Sequence, residues 1–182
     1  MELVEVLDYD EQWPEHFNVI KKVIWPSIAA VAKSIEHVGS TSIPGLAAKP
    51  IIDVTIVVNS DENLKLVISK LATLGFIHRG DLGIHGREAF TRLEGLPKHN
   101  LYACVEGCLP LRNHLILRDA LRQSAVLRQE YRQLKLKLAE QYPDDIDAYV
   151  EGKSAFILSV LSDRGVSDHE AAEIEAVNLK PG

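Results

Sequence analysis

The sequence lacks the features that mark several special classes of protein. It has only two cysteines, Cys104 and Cys108, in 182 residues, so it does not encode the disulfide framework of a small secreted domain. No apolar run is long enough to span a membrane, and the N-terminus does not resemble a signal peptide. We therefore expect a cytoplasmic protein with no membrane segment and with both thiols free.

The chain also has no surplus of positive charge. Lys and Arg number 20 against 26 Asp and Glu, which gives a net charge of -6 and a pI near 5.6. Broad nucleic-acid binding needs a basic face, so this balance argues against it, although it does not exclude a local basic pocket. A metal site can be imagined from His99, Cys104, Cys108 and His114, but their spacing is not that of a usual zinc motif.

Hydrophobic spacing predicts a mixed α+β domain with strands early and helices late. Apolar residues recur every three or four positions from Trp13 to Val31, which indicates a helix capped by Asp10 and kinked or interrupted at Pro26. The same reasoning predicts strands over residues 34–38, 51–58, 76–79, 87–93 and 100–106, and helices over 61–74, 111–122, 124–141 and 144–161.

The length favours one domain, for which we predict residues 1–162, followed by an acidic tail over residues 163–182. Within the tail, Ser167 and Glu170 have the spacing of a capping box, which predicts the start of a short helix.

A lone carboxylate, Asp53, lies inside the β-branched run "IIDVTIVV". Alternation along a strand places Asp53 and Thr55 on one face, while the opposite face is wholly apolar and should meet the core. An ionised carboxylate in that position needs water, a cation or a metal as its partner.

The loop before this strand offers a complement to the acid. Gly39, Ser40 and Thr41 supply an adaptable backbone and hydroxyls, a helical turn starting near Thr41 would expose N–H groups to an anion, and Lys49 adds positive charge. A phosphate cradle facing a carboxylate that holds Mg²⁺ is the layout that nucleotidyl transfer needs. The alternative is a plain turn, with Asp53 accepting hydrogen bonds from backbone or from Lys49.

The stretch "HVGSTSIPGLAAKPIID", residues 37–53, resembles the signature of the GrpB family at every element. Four further segments also resemble the family, so that the likeness extends over about residues 8–161: "YDEQWPEHF", "HNLYACVEG", "HLILRDALR" and "YVEGKSAFI". The resemblance implies an α+β, nucleotidyltransferase-like mixed sheet with a C-terminal helical group, and a relation to the C-terminal domain of some dephospho-CoA kinases.

The sequence departs from the pattern of the superfamily at one position. The superfamily pattern is Gly-Ser followed, about ten residues later, by an Asp-x-Asp pair; Gly39, Ser40 and Asp53 match it, but Thr55 stands where the second carboxylate belongs. A threonine hydroxyl is a poor substitute for a carboxylate that bridges metal ions, so ordinary two-metal chemistry is in doubt. Glu88, Glu94 and Glu106, which lie on or beside the later predicted strands, are the other acids that could supply the missing carboxylate.

Five other residues are predicted to line or support the pocket. Asn100 and Tyr102 share one face of the late strand and would face the same cleft as Asp53 if the two strands are neighbours. Lys153 lies on an apolar helix stripe, so it either snorkels outward or, as the family's Gly-Lys pair implies, faces a phosphate. Arg118 could form an anion-binding edge with a neighbouring arginine, or be solvated, and His37 could hold the loop open.

Two functions remain open on these grounds. The first is a nucleotidyltransferase-like protein that binds a nucleotide or other phosphorylated small molecule and transfers a nucleotidyl group with Mg²⁺. Asp53 would be its catalytic metal ligand, and Ser40, Thr41 and Lys49 would contact the phosphates. The second is a nucleotide-binding, CoA-related or scaffold module that has kept the pocket without the chemistry.

Overall fold

Four strands and seven helices make up residues 3–178, the part of the chain that the computed structural model describes. The strands are β1 (Ser34–Val38), β2 (Ile52–Val58), β3 (Glu88–Phe90) and β4 (His99–Val105). The helices are α1 (Trp13–Ile28), α2 (Asp61–Thr73), α3 (Leu109–Gln123), α4 (Ala125–Gln141), α5 (Ile146–Glu151), α6 (Ser154–Ser162) and α7 (Asp168–Asn178). The last residues of the predicted acidic tail, 179–182, lie outside this description.

The strands form one mixed sheet in the order β1-β2-β4-β3. Strand β2 is antiparallel to β1 and parallel to β4, and β3 is antiparallel to β4. The parallel pair places Asp53 opposite Asn100 and Thr55 opposite Tyr102. This is the mixed sheet predicted from the sequence, and it makes the Asp53 strand and the Asn100 strand neighbours.

The two faces of the sheet have different roles. On one face, apolar residues of β2 and β4 pack against α1 and α2 and form the main core, which includes Ile24, Val54, Ile56, Leu71 and Leu101. The opposite face carries Asp53 and Thr55. At its far end, Val57 and Cys104 pack against Leu111 of α3, and the C-terminal helices build further clusters beyond it. The polar side chains of β2 and β4 therefore lie on the side that the C-terminal helical group occupies.

The first helix differs from its prediction in two ways. Helix α1 is not interrupted at Pro26: it continues for two more residues and ends at Ile28. Asp10 does not cap it: Gln12 is the N-cap residue, and Asp10 Oδ1 instead accepts the Gln12 N–H at 2.8 Å in the preceding turn.

Three predicted elements are wrong in extent or in kind. Residues 76–79 form no strand and contribute only an isolated bridge between His78 and Phe90, and β3 is a three-residue strand where seven residues were predicted. The predicted helix over 144–161 divides into α5 and α6 at Gly152 and Lys153. Gly152 lies so near α4 that a Cβ there would be 2.5 Å from a terminal carbon of Leu138.

The capping box of the tail is confirmed. Glu170 accepts hydrogen bonds from the Ser167 N–H at 2.9 Å and from its hydroxyl at 2.8 Å, and the Ser167 hydroxyl accepts the Glu170 N–H. Glu170 also pairs with Arg112 of α3 at 2.6 Å, so α7 begins against the domain. Within residues 3–178, no helix combines the length and the apolar character needed to cross a membrane.

Candidate functional site

The site begins with the pairing of β2 and β4. Asn100 Nδ2 donates a 2.8 Å hydrogen bond to Asp53 Oδ1. The Asn100 amide is itself oriented by Arg92, whose guanidinium donates to Asn100 Oδ1 at 3.2 Å and to the His99 carbonyl at 2.8 Å. The predicted proximity of Asp53 and Asn100 is therefore present, and the carboxylate is held in one direction by a fixed amide.

Gly39 lets the loop after β1 come directly against Asp53. Its φ of +69° and ψ of -174° lie in a region that essentially only glycine adopts. A Cβ at this position would lie 3.0 Å from Asp53 Cγ and would collide with Oδ2. The glycine is thus required both by its backbone angles and by the close approach of the carboxylate.

The hydroxyls of the loop hold the loop together. Thr41 is only 1% exposed; its Oγ1 lies 3.0 Å from His37 Nε2 and donates to the Ile51 carbonyl at 3.4 Å. The Ser42 hydroxyl donates to the Gly39 carbonyl at 2.6 Å. The structure thus places the Thr41 side chain as a support, whereas it was predicted to contact phosphate, and leaves Ser40 half-buried at the start of the short 3₁₀ turn Ser40–Ser42.

His37 has the supporting position that the sequence suggested. Its ring stacks on Phe17 with centroids 4.9 Å apart and contacts the Thr41 hydroxyl. Burial, with a further contribution from Arg122 and Arg118, lowers the pKa of His37 from 6.5 to about 4. His37 is therefore neutral at pH 7.

Two arginines of α3 hydrogen-bond to backbone carbonyls on either side of the Gly39 turn. Arg118 pairs with Glu36 at 3.1 Å and with Asp119 at 2.8 Å, and donates to the His37 carbonyl at 3.3 Å. Arg122 donates twice to the Ser42 carbonyl, at 3.0 and 2.6 Å. Arg118 is thus close to the predicted pocket, but these arginines fasten α3 to the loop and do not form an open anion-binding edge.

Cationic side chains from three elements approach Asp53. Lys153, between α5 and α6, places its Nζ 4.4 Å from the centre of the Tyr149 ring; burial, assisted by Lys49, lowers its pKa from 10.5 to about 8, while Asp53 opposes the change. Lys135 of α4 is 2% exposed and its Nζ donates to the Ala47 carbonyl. Burial and the charge of Lys153 hold the pKa of Lys135 well below its usual value.

Asp53 is itself perturbed by its surroundings. Burial raises the pKa of its carboxyl, while the hydrogen bond from Asn100 and the charges of His114, Lys153 and Lys49 act in the opposite direction. His114 of α3 shows the complementary behaviour, because burial lowers its pKa and Asp53 partly counteracts this. One carboxylate is therefore surrounded by several groups that are neutral or cationic.

Arg87 closes the site from the loop before β3. Its guanidinium carbon lies 4.2 Å from the centre of the Tyr102 ring, and its charge acts on both Tyr102 and Asp53. Arg87 Nε and Thr55 Oγ1 are buried, and neither has a hydrogen-bond partner within residues 3–178. Buried polar atoms without a partner are uncommon in folded proteins, so these two atoms mark the site as unusual.

Within residues 3–178, no other carboxylate is among the groups that act on Asp53. Glu88 pairs with His78 at 2.5 Å, and Glu106 pairs with Lys33, so neither replaces the acid missing at Thr55. In the described part of the chain there is no group of three or more His, Cys, Asp or Glu side chains placed to hold a metal ion. The donor set does not fit a two-metal centre.

Sequence reasoning placed Lys153 near the phosphate site but missed Lys135, and it did not predict that His114 and Arg87 approach Asp53. Lys135 carries the same signal as Lys153: it lies on an apolar stripe, four residues after buried Tyr131 and three before buried Leu138. His114 and Arg87 carry no such signal, because their approach to Asp53 depends on how α3 and the loop before β3 pack on the sheet.

Comparison with known proteins identifies relatives over most of the chain. The family model described as "GrpB protein" matches residues 3–163. The UPF0157 protein YqkA of Bacillus subtilis (strain 168) is 38% identical over 158 residues, which are 85% of this chain but only 45% of that relative's length. The glutamate-rich protein GrpB of Alkalihalophilus pseudofirmus is 33% identical over 165 residues, covering 88% of this chain and 95% of the relative.

Solved structures agree with these relatives. The crystal structure of the conserved protein GrpB from Enterococcus faecalis is similar with a TM-score of 0.77 at 30% identity, over 87% of this chain and 96% of that one. The Cid1 poly(U) polymerase, in its MgGTP-bound structure, is similar with a TM-score of 0.51 at 15% identity, over 72% of this chain and 43% of that one. The second likeness shows the fold, which is that of nucleotidyltransferases.

Proposed function

The chain belongs to the GrpB family and has a nucleotidyltransferase-like fold, and from this premise we propose that it binds a phosphorylated small molecule around Asp53, with a nucleotide as the first candidate. The observation that carries the proposal is the excess of buried and partly buried cationic groups over carboxylates at that place. The charges of Lys153, Arg87 and Lys135 all act together with that of Asp53.

The electrostatics of the site favour an anion. Taking ammonium and guanidinium groups out of water costs free energy that one carboxylate does not offset, as the lowered pKa of Lys153 shows. A phosphate group placed among them would restore their charge balance. Arg87 would also gain a partner for its buried Nε, since a guanidinium matches phosphate geometry well.

Asp53 and Asn100 would recognise a part of the ligand other than its phosphate. The fixed amide and the carboxylate offer a donor and an acceptor side by side, which suits a hydroxyl or amino group such as those of a nucleoside. Thr55 Oγ1 offers a further hydroxyl close to them along β2. Phosphate on the cationic side and a polar organic group on the Asp53 side together describe a nucleotide-like molecule.

Metal-dependent nucleotidyl transfer is the second candidate. The placement of Gly39 against Asp53 on this fold favours it, and Mg²⁺ is often held by one carboxylate together with substrate phosphates. Asp53 is the residue that would hold such an ion, which would neutralise phosphate charge. The absence of a second carboxylate at Thr55 favours binding alone, so Mg²⁺ stays a prediction that the following experiment addresses.

A thermal-unfolding screen tests both candidates. Nucleoside triphosphates, CoA and dephospho-CoA would be added with Mg²⁺ or with EDTA, the last two because the family resemblance predicts a relation to dephospho-CoA kinases. A ligand at a hundred times its Kd should stabilise the fold by about 2.7 kcal/mol, which a melting curve resolves. Lys153→Gln should abolish the shift, and Lys137→Gln, an exposed lysine on α4, should keep it.

The outcomes separate the candidates. A shift that is equal in EDTA and lost only in Lys153→Gln supports a metal-free binding site. A shift that needs Mg²⁺ and disappears in Asp53→Asn supports the transferase candidate. A shift that survives Lys153→Gln, or no shift with any of these phosphorylated molecules, would overturn the proposal and leave the fold assignment intact.

A further inference from the structure

The two cysteines meet at the junction of β4 and α3. Cys104, near the end of β4, is 1% exposed, and Cys108, the N-cap residue of α3, is partly exposed. The turn between them is closed by a 3.2 Å hydrogen bond from the Cys108 N–H to the Val105 carbonyl. The Cys108 side chain packs against the cluster formed by Val57, Cys104 and Leu111, which brings it close to the Cys104 thiol.

Their surroundings give the two thiols unequal reactivity. The hydrogen bond from Cys104 lowers the pKa of Cys108 to about 7 against the effect of burial, and the Leu111 N–H in the first turn of α3 adds to the lowering. The same hydrogen bond, together with burial, raises the pKa of Cys104. Cys108 is therefore a partly exposed thiolate near neutral pH, with a protonated thiol beside it.

We propose that Cys104 and Cys108 form a dithiol that peroxide oxidises to an intramolecular disulfide joining β4 to α3. The Cys108 thiolate attacks one oxygen of hydrogen peroxide, which breaks the O–O bond, gives a sulfenic acid and releases hydroxide. The Cys104 sulfur then attacks the Cys108 sulfur, and the Cys104 proton leaves with the displaced oxygen as water. The hydroxide from the first step takes up the proton that Cys108 released when it ionised. In sum, two thiols are oxidised by two electrons and one peroxide is reduced to two waters.

The position of this pair connects it to the candidate site without depending on the proposed function. Cys104 lies two residues after Tyr102 on the same face of β4, and its own environment includes the charge of Arg87. A Cβ built on Gly86 would be 3.4 Å from the Cys108 Cβ, so the segment that carries Arg87 passes directly over Cys108. A disulfide would form at the edge of the Asp53 site.

The test treats the native full chain with hydrogen peroxide at pH 7 and measures intact mass and free thiols. The expected result is a loss of about 2 Da, with both thiols consumed and both recovered after treatment with dithiothreitol. Separately, alkylation of the reduced protein by iodoacetamide should start at Cys108 and rise with pH around a midpoint near 7.

Two variants assign the roles. Cys108→Ser places a favoured residue at the N-cap and should leave Cys104 unreactive because it is buried. Cys104→Ala should let the Cys108 sulfenic acid persist, so that dimedone traps it. Melting curves of the reduced variants confirm that each is folded before oxidation.

Three results would overturn the proposal: two free thiols after excess peroxide, a disulfide between two chains, or direct overoxidation of Cys108 in the unaltered protein with Cys104 still reduced. Each would show that the two sulfurs do not close a bond within the native chain.

Discussion

At the scale of single residues, the Asp53 carboxylate has a different neighbour at each oxygen. Oδ1 accepts the Asn100 amide, whereas Oδ2 lies against the backbone of Gly39, where any side chain would collide with it. The first contact orients the acid and the second joins it to the loop after β1. A carboxylate held in this way cannot rotate away from the site when its ligand is absent.

The close contact between Gly39 and Asp53 predicts that one methyl group added at Gly39 will strongly lower the stability of the fold. Gly39→Ala should destabilise the fold by about 3 kcal/mol or more, because strain in a glycine-only region costs roughly 1 to 3 kcal/mol and the collision with Asp53 adds to it. Urea unfolding measures the effect. Gly80→Ala is the matched control, since Gly80 has nearly the same φ of +71° and a Cβ there meets nothing within 4 Å.

A second arm separates strain from collision. In an Asp53→Ala background the colliding oxygen is gone, so Gly39→Ala should cost less than it does in the unaltered chain. Equal costs in the two backgrounds would show that backbone strain alone requires the glycine, and that the close packing of Gly39 on Asp53 has no energetic weight.

The lowered pKa of His37 predicts that the folded chain loses stability as the pH falls below 6.5. Its pKa is 6.5 when unfolded and about 4 when folded, so between these values the unfolded chain binds a proton that the folded chain does not. The stability that His37 contributes is therefore complete above pH 6.5 and falls as the pH drops to 4, by about 3 kcal/mol.

The measurement is the difference between the unfolding free energies of the unaltered chain and His37→Gln across pH 4 to 7. Glutamine keeps a side-chain donor for Thr41 but does not titrate, so the loss of the Phe17 stack shifts its curve by a constant. The difference should shrink as the pH falls. A difference that does not change with pH would mean that His37 is solvated enough to protonate normally.

At the scale of secondary-structure elements, the parts that could be predicted are those set by local chemistry. The faces of β2 follow from alternation, and the starts of α2 and α4 follow from the capping residues Ser60 and Ser124. The break between α5 and α6 could not be predicted, because it coincides with the packing of Gly152 against Leu138, a contact between separate helices.

The same distinction applies to the candidate site. Asn100 was predictable because it shares a strand face with Tyr102, and the parallel pairing then places it beside Asp53. Arg87 was harder to predict, since its position over Tyr102 depends on a loop whose course has no periodic pattern. The contacts of Thr41 with His37 and the Ile51 carbonyl could not be predicted, because a hydroxyl that binds phosphate and a hydroxyl that supports a loop look alike in the sequence.

The start of α7 gives a prediction at this scale. The hydrogen bonds from the Ser167 N–H and hydroxyl, with that from Arg112, lower the pKa of Glu170 from 4.5 to about 2. Its carboxylate therefore stabilises the start of the helix above pH 4.5, and this stabilisation is lost as the pH falls toward 2. Glu170→Gln should speed amide hydrogen exchange in α7 at pH 7 and leave α4 unchanged.

Glu175→Gln is the control for this variant. It removes the same charge from an exposed position in the second half of α7, where a negative charge does not favour the helix. Exchange in α7 should then stay the same or become slower. If both variants accelerate exchange equally, the effect comes from net charge and the capping box is not responsible.

At the scale of the whole molecule, the local charge around Asp53 is opposite in sign to the net charge of the chain. The chain carries a net charge of -6, yet Lys49, Lys135, Lys153 and Arg87 converge on one carboxylate. They come from the segment before β2, from α4, from the junction of α5 and α6, and from the loop before β3. Bringing like charges together costs free energy. The main core on the apolar face of the sheet stabilises the fold and offsets this cost.

The free-energy cost of burying the Lys153 ammonium predicts how the free energy of unfolding changes at alkaline pH. Lys153 has a pKa of 10.5 when unfolded and about 8 when folded, so between these values the unfolded chain binds the extra proton and stability rises with pH. Relative to Lys153→Met, which keeps the apolar stem but has no charge, the unaltered chain should gain about 3 kcal/mol from pH 8 to 10.5.

Urea unfolding of both chains at several pH values measures this difference, with the buried tyrosines titrating alike in each. Lys137→Met, which removes an exposed ammonium from α4, should show no such trend. A flat difference for Lys153→Met would mean that its ammonium is well solvated, and the free energy that an anionic ligand is proposed to recover at the Asp53 site would then not exist. A rising difference would show that the Asp53 site holds a charge that an anionic ligand can stabilise.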